Sequence, residues 1–275
     1  MTAGLPPRRR ASRMPLLRFA SLGSGSRGNA LVVESAGGDG CTRLLLDCGF
    51  GPRELIRRLA RLGLAGADLD AILVTHEHGD HSAGVFACAR RFGLPVFLSH
   101  GTLAAVPRNG IAPPAVHVID SHRPFRIGAV EIHPFPVPHD AREPVQYVFA
   151  AGAHRLGVLT DAGAATPHIS SMLSGCQALV LECNHDAGML ARGRYPRHLK
   201  QRIAGPYGHL ENNAAAELLS LLDRSGLRHL VAAHISQENN TPQLACRALA
   251  QAGGYAEDWV CAASQDEGFP WRTLE

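Results

Sequence analysis

Thr75-His76-Glu77-His78-Gly79-Asp80-His81 follows the apolar run Ala71-Ile72-Leu73-Val74, so three imidazoles and two carboxylates crowd directly behind a strand-like segment. Imidazole with carboxylate is a donor set for zinc, manganese or iron. In an extended segment residues i and i+2 point the same way, so His76 and His78 can share one ion. Gly79 then relaxes the chain, and Asp80 and His81 can face a second ion nearby, the arrangement of a two-metal hydrolase. A cap on a helix starting at Ser82 would explain Asp80 alone but not the three histidines.

Outward from this motif the chain alternates between strand-like and helix-like patterns. Residues 16–21, 30–34 and 42–46 read as antiparallel strands, with a turn at 37–40. Residues 54–62 place Leu55, Ile56, Leu59 and Leu62 at helical spacing, and 82–92 reads as a second helix. Strands are expected at 71–75, 95–98, 127–137, 146–150, 156–160, 178–182 and 229–233, and helices at 211–222 and 242–252. Residues 103–125, a basic loop at 192–202 and the C-terminal tail read as irregular. Strands in two groups with helices outside each imply an α+β fold, an αββα sandwich of two mixed sheets.

Several other reactive side chains fall just past apolar strands, where a rigid scaffold can aim them at one point. His139 can complete the first ion's shell and His234 the second. Asp161 can bridge the two, since a carboxylate spans the roughly 3.5–4 Å between paired metals. His133 competes with His139 but lies inside a strand. Asp47 reads either as a helix cap near Pro52 or as a group orienting the metal loop, and Glu182 as a brace for a ligand. His185 is placed to approach substrate. His209 stands at a helix entry, either as a surface group or as a phosphate binder and proton donor to a leaving group.

Gly23-Ser24-Gly25-Ser26-Arg27-Gly28 matches the dinucleotide fingerprint, but residues 29–33 continue as a strand rather than opening a helix, so no nucleotide cofactor is expected. Ser26, Arg27 and Asn29 remain candidates for binding phosphate through side chains and backbone N–H groups. The stretch Arg192 to Arg202, which includes Tyr195 and Lys200, reads as a solvated loop or as a surface that follows a nucleic-acid backbone.

The 275 residues carry a net charge of +3 and are 45% hydrophobic, enough for a large core and compatible with an anionic substrate. No apolar run approaches the roughly 18 residues of a membrane span. Seven cysteines without a Cys-x-x-Cys pair indicate neither a disulfide framework nor a thiolate zinc site, which fits the cytoplasm. Residues 1–13 are expected to be a disordered extension, with Met14 as an alternative start, ahead of a single domain over 14–275.

His76-x-His78-x-Asp80-His81, with Asp47 before it and His139, Asp161 and His234 after it, resembles the metallo-β-lactamase superfamily. Ser24-Gly25-Ser26-Arg27-Gly28-Asn29, Leu181 to Asp186, Tyr195-Pro196-x-x-Leu199-Lys200-x-Arg202-Ile203, Gly208-His209-Leu210 and His234-Ile235-Ser236-x-Glu238-Asn239-Asn240 resemble its YycJ (WalJ)-type subgroup, regarded as DNA exonuclease-like phosphodiesterases. The resemblance implies a four-layer αβ/βα sandwich. It also implies that His76, His78, His139 and Asp161 hold one divalent ion, while Asp80, His81, Asp161 and His234 hold the other. A metal-bridging hydroxide would attack DNA phosphorus, with Asp80 and Asp161 orienting it and His209 protonating the leaving oxygen. His81 argues against a lactam-cleaving enzyme and His78 against a diiron oxygen reductase. Glu211 departs from the serine common in the subgroup. The alternatives are a glyoxalase II-like thioester hydrolase and a non-catalytic, metal-stabilised nucleic-acid-binding module.

Overall fold

A computed structural model describes residues 16–37, 40–106 and 115–275. The expected N-terminal extension and the tip of the 37–40 turn lie outside the described residues. Fourteen strands form two seven-stranded sheets among these residues. The first sheet holds β1 (Leu16–Gly23), β2 (Ala30–Gly37), β3 (Gly40–Leu46), β4 (Ala71–Leu73), β5 (Pro95–Ser99), β6 (Ala115–Ile119) and β14 (Phe269–Leu274). The second holds β7 (Phe125–Ile127), β8 (Val130–Pro136), β9 (Val145–Ala151), β10 (His154–Leu159), β11 (Ala178–Glu182), β12 (His229–Ala233) and β13 (Cys261–Ala262). Helices α1 (Pro52–Arg61), α2 (Gly79–Ser82), α3 (Val85–Phe92) and α4 (His100–Ala105) follow strands of the first sheet. Helices α5 (Pro167–Leu173), α6 (Ala187–Arg192), α7 (Arg197–Ile203), α8 (Asn212–Leu221) and α9 (Pro242–Gly253) follow those of the second.

Strand alternation builds the four layers. Leu44 and Leu46 point between the sheets, where they meet Ile132, Tyr147, Phe149 and Val180, while Leu45 points outward with Ile72 and Val96 onto Leu55 and Leu59 of α1 and Cys88 of α3. On the far side Leu179, Leu181 and Leu230 pack against Leu173 of α5, Leu218 of α8 and Leu249 of α9. The expected αβ/βα sandwich is the observed architecture. Among the described residues no helix is long and apolar enough to cross a membrane.

Four expectations need correction. The tail ends in β14, which pairs antiparallel with β1 at the sheet edge, Leu274 opposite Leu17; Pro270 hides the strand in the sequence but is tolerated on an edge. The basic stretch starts on the last residue of α6 and holds most of α7, the latter recognisable only by Leu199 and Ile203 one turn apart. Part of 103–125 forms β6, parallel to β5. The helix expected from Ser82 is two helices, broken at Gly84, where a side chain would meet the Phe50 carbonyl at 1.9 Å.

Strands β3, β4 and β5 run parallel, as do β10, β11 and β12. Their C-terminal ends therefore open on one edge of each sheet, the position at which such folds gather binding residues.

Candidate metal centre

Five of those six strand ends deliver a reactive side chain to the site. Asp47 follows β3, His76 follows β4, Asp161 follows β10, Glu182 closes β11 and His234 follows β12. Asp47, Asp161 and His234 have φ of 60°, 53° and 52°, and no other described residue except glycine has positive φ. Such a conformation costs on the order of 1–3 kcal/mol per residue and persists only where its surroundings enforce it. Here the strain turns each side chain back over its strand end.

The imidazoles and carboxylates form overlapping clusters whose candidate ligand atoms lie within 4.8 Å of one another: His76, His78 and His139; His76, His81 and Asp161; Asp80, His81 and His234. His139 Nε2 and His78 Nδ1 face each other at 3.2 Å. His139 Nδ1 donates to the Gly208 carbonyl and His78 Nε2 to that of Asp140, which leaves the two facing nitrogens free as lone-pair donors. Asp161 stands in the middle, its Oδ2 3.0 Å from His81 Nε2 and its Oδ1 4.0 Å from His139 Nε2. Asp80 Oδ2 approaches His81 Nε2 at 3.4 Å and His234 Nε2 at 3.3 Å. Buried His76 Nε2 has no hydrogen-bond partner and buried Asp161 Oδ2 has only its ion-pair contact with His81, which calls for a cation. The donor set and these two atoms fit divalent metal ions.

A surrounding shell aims these groups. Asp47 accepts from the Thr75 N–H and hydroxyl and lies 2.8 Å from His81 Nδ1, so it orients the motif; Gly51 rather than Asp47 precedes α1. Tyr147 reaches across from the second sheet to donate to the Val74 carbonyl. Glu182 accepts through Oε2 from the Ala162 and Leu210 N–H groups, while its Oε1 lies 2.8 Å from His209 Nδ1 and 3.3 Å from His234 Nδ1. Asp80 lies inside α2, and its side chain takes up the Asn29 amide and His234 instead of capping a helix.

Charge balance follows from this crowding. Burial and the neighbouring imidazoles push the proton affinity of His76 well below the ordinary histidine value. Burial also opposes charge on Asp161, but His234 and His81 hold its carboxyl well below the usual range. His81 is carried well above the ordinary value, and His234 up to about 10, because adjacent carboxylates outweigh burial. Glu182, buried beside His209, is held at about 2. His209 is raised: burial opposes its imidazolium, and Glu182 prevails. In the metal-free chain, protons thus occupy positions that cations would take.

Beside the cluster opens a cleft of about 300 Å³, lined by Ser26, Asp80, Asp161 and His209 among others. Of the residues expected to contact substrate, Ser26 lines it. Asn29 is buried, its amide held by Gly25 and Asp80. His185 is 2% exposed and does not line the cleft. Lys200 also lies off it, its Nζ donating to the Ala191 carbonyl. His133 pairs with Glu131 at 3.0 Å. Sequence reasoning gave no role to Thr75, which opens the motif and touches Asp47, His76 and His81. It also missed Asp140, which lines the cleft and whose neighbour His139 was the available signal; Tyr195 and Arg202, from the stretch read as a solvated loop or a nucleic-acid surface, line the cleft too.

A sequence profile described as the beta-lactamase superfamily domain matches residues 42–235. The Bacillus anthracis protein called Exodeoxyribonuclease YycJ is 36% identical over 239 residues, covering 86% of this chain and 88% of its own. Exodeoxyribonuclease WalJ of Streptococcus pneumoniae serotype 2 is 31% identical over 232 residues, covering 83% and 85%. Among solved structures, the metallo-β-lactamase fold protein YhfI from Bacillus subtilis aligns with a TM-score of 0.72 at 16% identity over 94% of this chain and all of that one, a likeness of fold.

Proposed function

The chain belongs to the beta-lactamase superfamily domain family, and from that premise we propose that it is a metal-dependent phosphodiesterase that removes nucleotides from DNA ends. The observation that carries this reading is the convergence of His76, His78, His139, Asp80, His81, His234 and Asp161 beside an open cleft. His76, His78, His139 and Asp161 would hold one zinc, manganese or iron ion. Asp80, His81, His234 and Asp161 would hold a second. When bound, such ions supply Lewis acidity toward phosphate oxygens and a water-derived nucleophile at neutral pH.

The chain's own residues do the rest. Asp80, facing the cleft, accepts a hydrogen bond from the attacking water and orients it. Asp47 and Glu182 fix the rings of His81 and His234. The Ser26 hydroxyl donates to a phosphate oxygen. His209 lines the cleft, carries its proton through Glu182 and gives it to the departing sugar oxygen.

The test is cleavage of end-labelled duplex and single-stranded DNA by protein of known metal content, in zinc, manganese and magnesium, beside an acyl-glutathione thioester. Metal-dependent release of nucleotides from DNA ends, lost in His76→Ala and Asp80→Ala proteins that stay folded, is expected. Thioester turnover without nuclease activity would overturn the proposal, as would salt-dependent DNA binding without turnover.

A further inference from the structure

Part of the cleft wall is made by α7 and the residues leading into it, which present Tyr195, Leu199, Arg202 and Ile203. Helix α7 has no fully buried residue. Its apolar side chains Leu199 and Ile203 face the cleft, and the hydroxyl of half-buried Tyr195 has no hydrogen-bond partner among the described residues. An aromatic ring with two aliphatic groups at the mouth of a charged site offers a flat apolar surface that the phosphate chemistry does not require.

Arg202 is mounted in a specific way. Its Nε donates to Asp140 Oδ2 at 2.5 Å, and Asp140 Oδ1 lies 3.5 Å from His139 Nε2 and 3.7 Å from His78 Nε2. Holding Nε fixes the guanidinium plane, while Nη1 and Nη2 have no partner among the described residues. That free edge matches two oxygens of a phosphate. The cleft, about 300 Å³, sits at the small end of the range for ligand sites, room for one unit of a polymer rather than a duplex.

Resting on the phosphodiesterase reading, we propose that α7 recognises a single unpaired terminal nucleotide: Tyr195 stacks on its base, and the Nη edge of Arg202 pairs with the phosphate next to the one cleaved. Stacking on an aromatic ring tolerates any base, because every base has a π face. The site therefore selects a frayed or single-stranded end of any sequence and rejects a phosphodiester that carries no base.

The test uses metal-loaded full-length protein and two chromogenic diesters with the same leaving group, thymidine 5′-(p-nitrophenyl phosphate) and methyl p-nitrophenyl phosphate. Wild-type protein should prefer the nucleoside ester in kcat/KM by roughly 10- to 100-fold, from a stacking contribution of about 1–3 kcal/mol. Tyr195→Ala should collapse this ratio toward one, mainly through KM, and Tyr195→Phe should retain it. On oligonucleotides, an abasic terminal unit should slow the wild type by a similar factor and Tyr195→Ala no further. A methylphosphonate next to the scissile phosphate should slow the wild type but not Arg202→Gln. Equal cleavage of both esters by the wild type overturns the inference while leaving the phosphodiesterase intact, and so does full sensitivity of Tyr195→Ala to the abasic end. Failure to cleave any diester with metal bound overturns both. The wild-type ester ratio and abasic comparison require no variant to fold.

Discussion

Asp47 Oδ2 lies 2.8 Å from His81 Nδ1, so the residue just past β3 sets the ring of one 34 positions later in α2. Asp47→Asn isolates the charge, because asparagine keeps the shape and tolerates the left-handed backbone. Metal affinity should fall about 10- to 100-fold with the far-UV circular dichroism unchanged. Competition against a chelator measures it, and wild-type affinity in the variant would refute the orienting role.

His209 should matter in proportion to how badly the leaving group needs a proton. His209→Ala is expected to slow release of a nucleoside alkoxide about 10²- to 10⁴-fold and release of p-nitrophenolate far less. The donating form is the imidazolium, whose proton affinity Glu182 raises above the ordinary 6.5. Cleavage of the alkoxide substrate should thus hold past pH 6.5 and fall as pH passes the raised value. Glu182→Gln should bring that fall to lower pH. Equal losses on both leaving groups would remove His209 from proton transfer.

Metal uptake should expel protons. His234 binds its proton up to about pH 10 in the metal-free chain. Loading near pH 7 must displace it, releasing on the order of one proton per ion, with affinity climbing as pH rises. Because the folded value is raised, the protonated ring stabilises the metal-free chain fully below pH 6.5, and that contribution disappears as pH rises through about 10. Calorimetric titration in buffers of different ionisation enthalpy counts the protons; proton-neutral binding at pH 7 contradicts the charge balance.

Gly84→Ala would drive a methyl group into the Phe50 carbonyl at 1.9 Å, displacing the loop that carries Asp47 from the start of α3. A loss of roughly 1–3 kcal/mol is expected. Gly51→Ala, which meets nothing within 4 Å at an ordinary φ, should stay within about 0.5 kcal/mol. Urea denaturation of the two variants decides it, and a Gly84→Ala protein as stable as Gly51→Ala would deny the close approach.

The layers were legible because period-two alternation, as in Leu44-Leu45-Leu46, names both faces of a strand, and the clustered residues were legible because polar groups directly after such runs stand at sheet edges. The cleft wall was not. Helix α7 has too few apolar residues to show a period, and β14 carries a proline that argues against a strand. Which polar side chain stays free is set by partners distant in sequence: the Asn29 amide is taken by Asp80, 51 residues away. Nothing local to Asn29 announces that neighbour.

The left-handed backbones of Asp47, Asp161 and His234 also bear on how this protein would respond to laboratory evolution. Each is a place where glycine would relax the main chain while deleting a group of the centre. A library sorted for heat resistance alone would be drawn toward these three positions, and its most robust members would be inert. Sorting for turnover together with thermal survival keeps them, and improvement must then come from elsewhere in the sandwich.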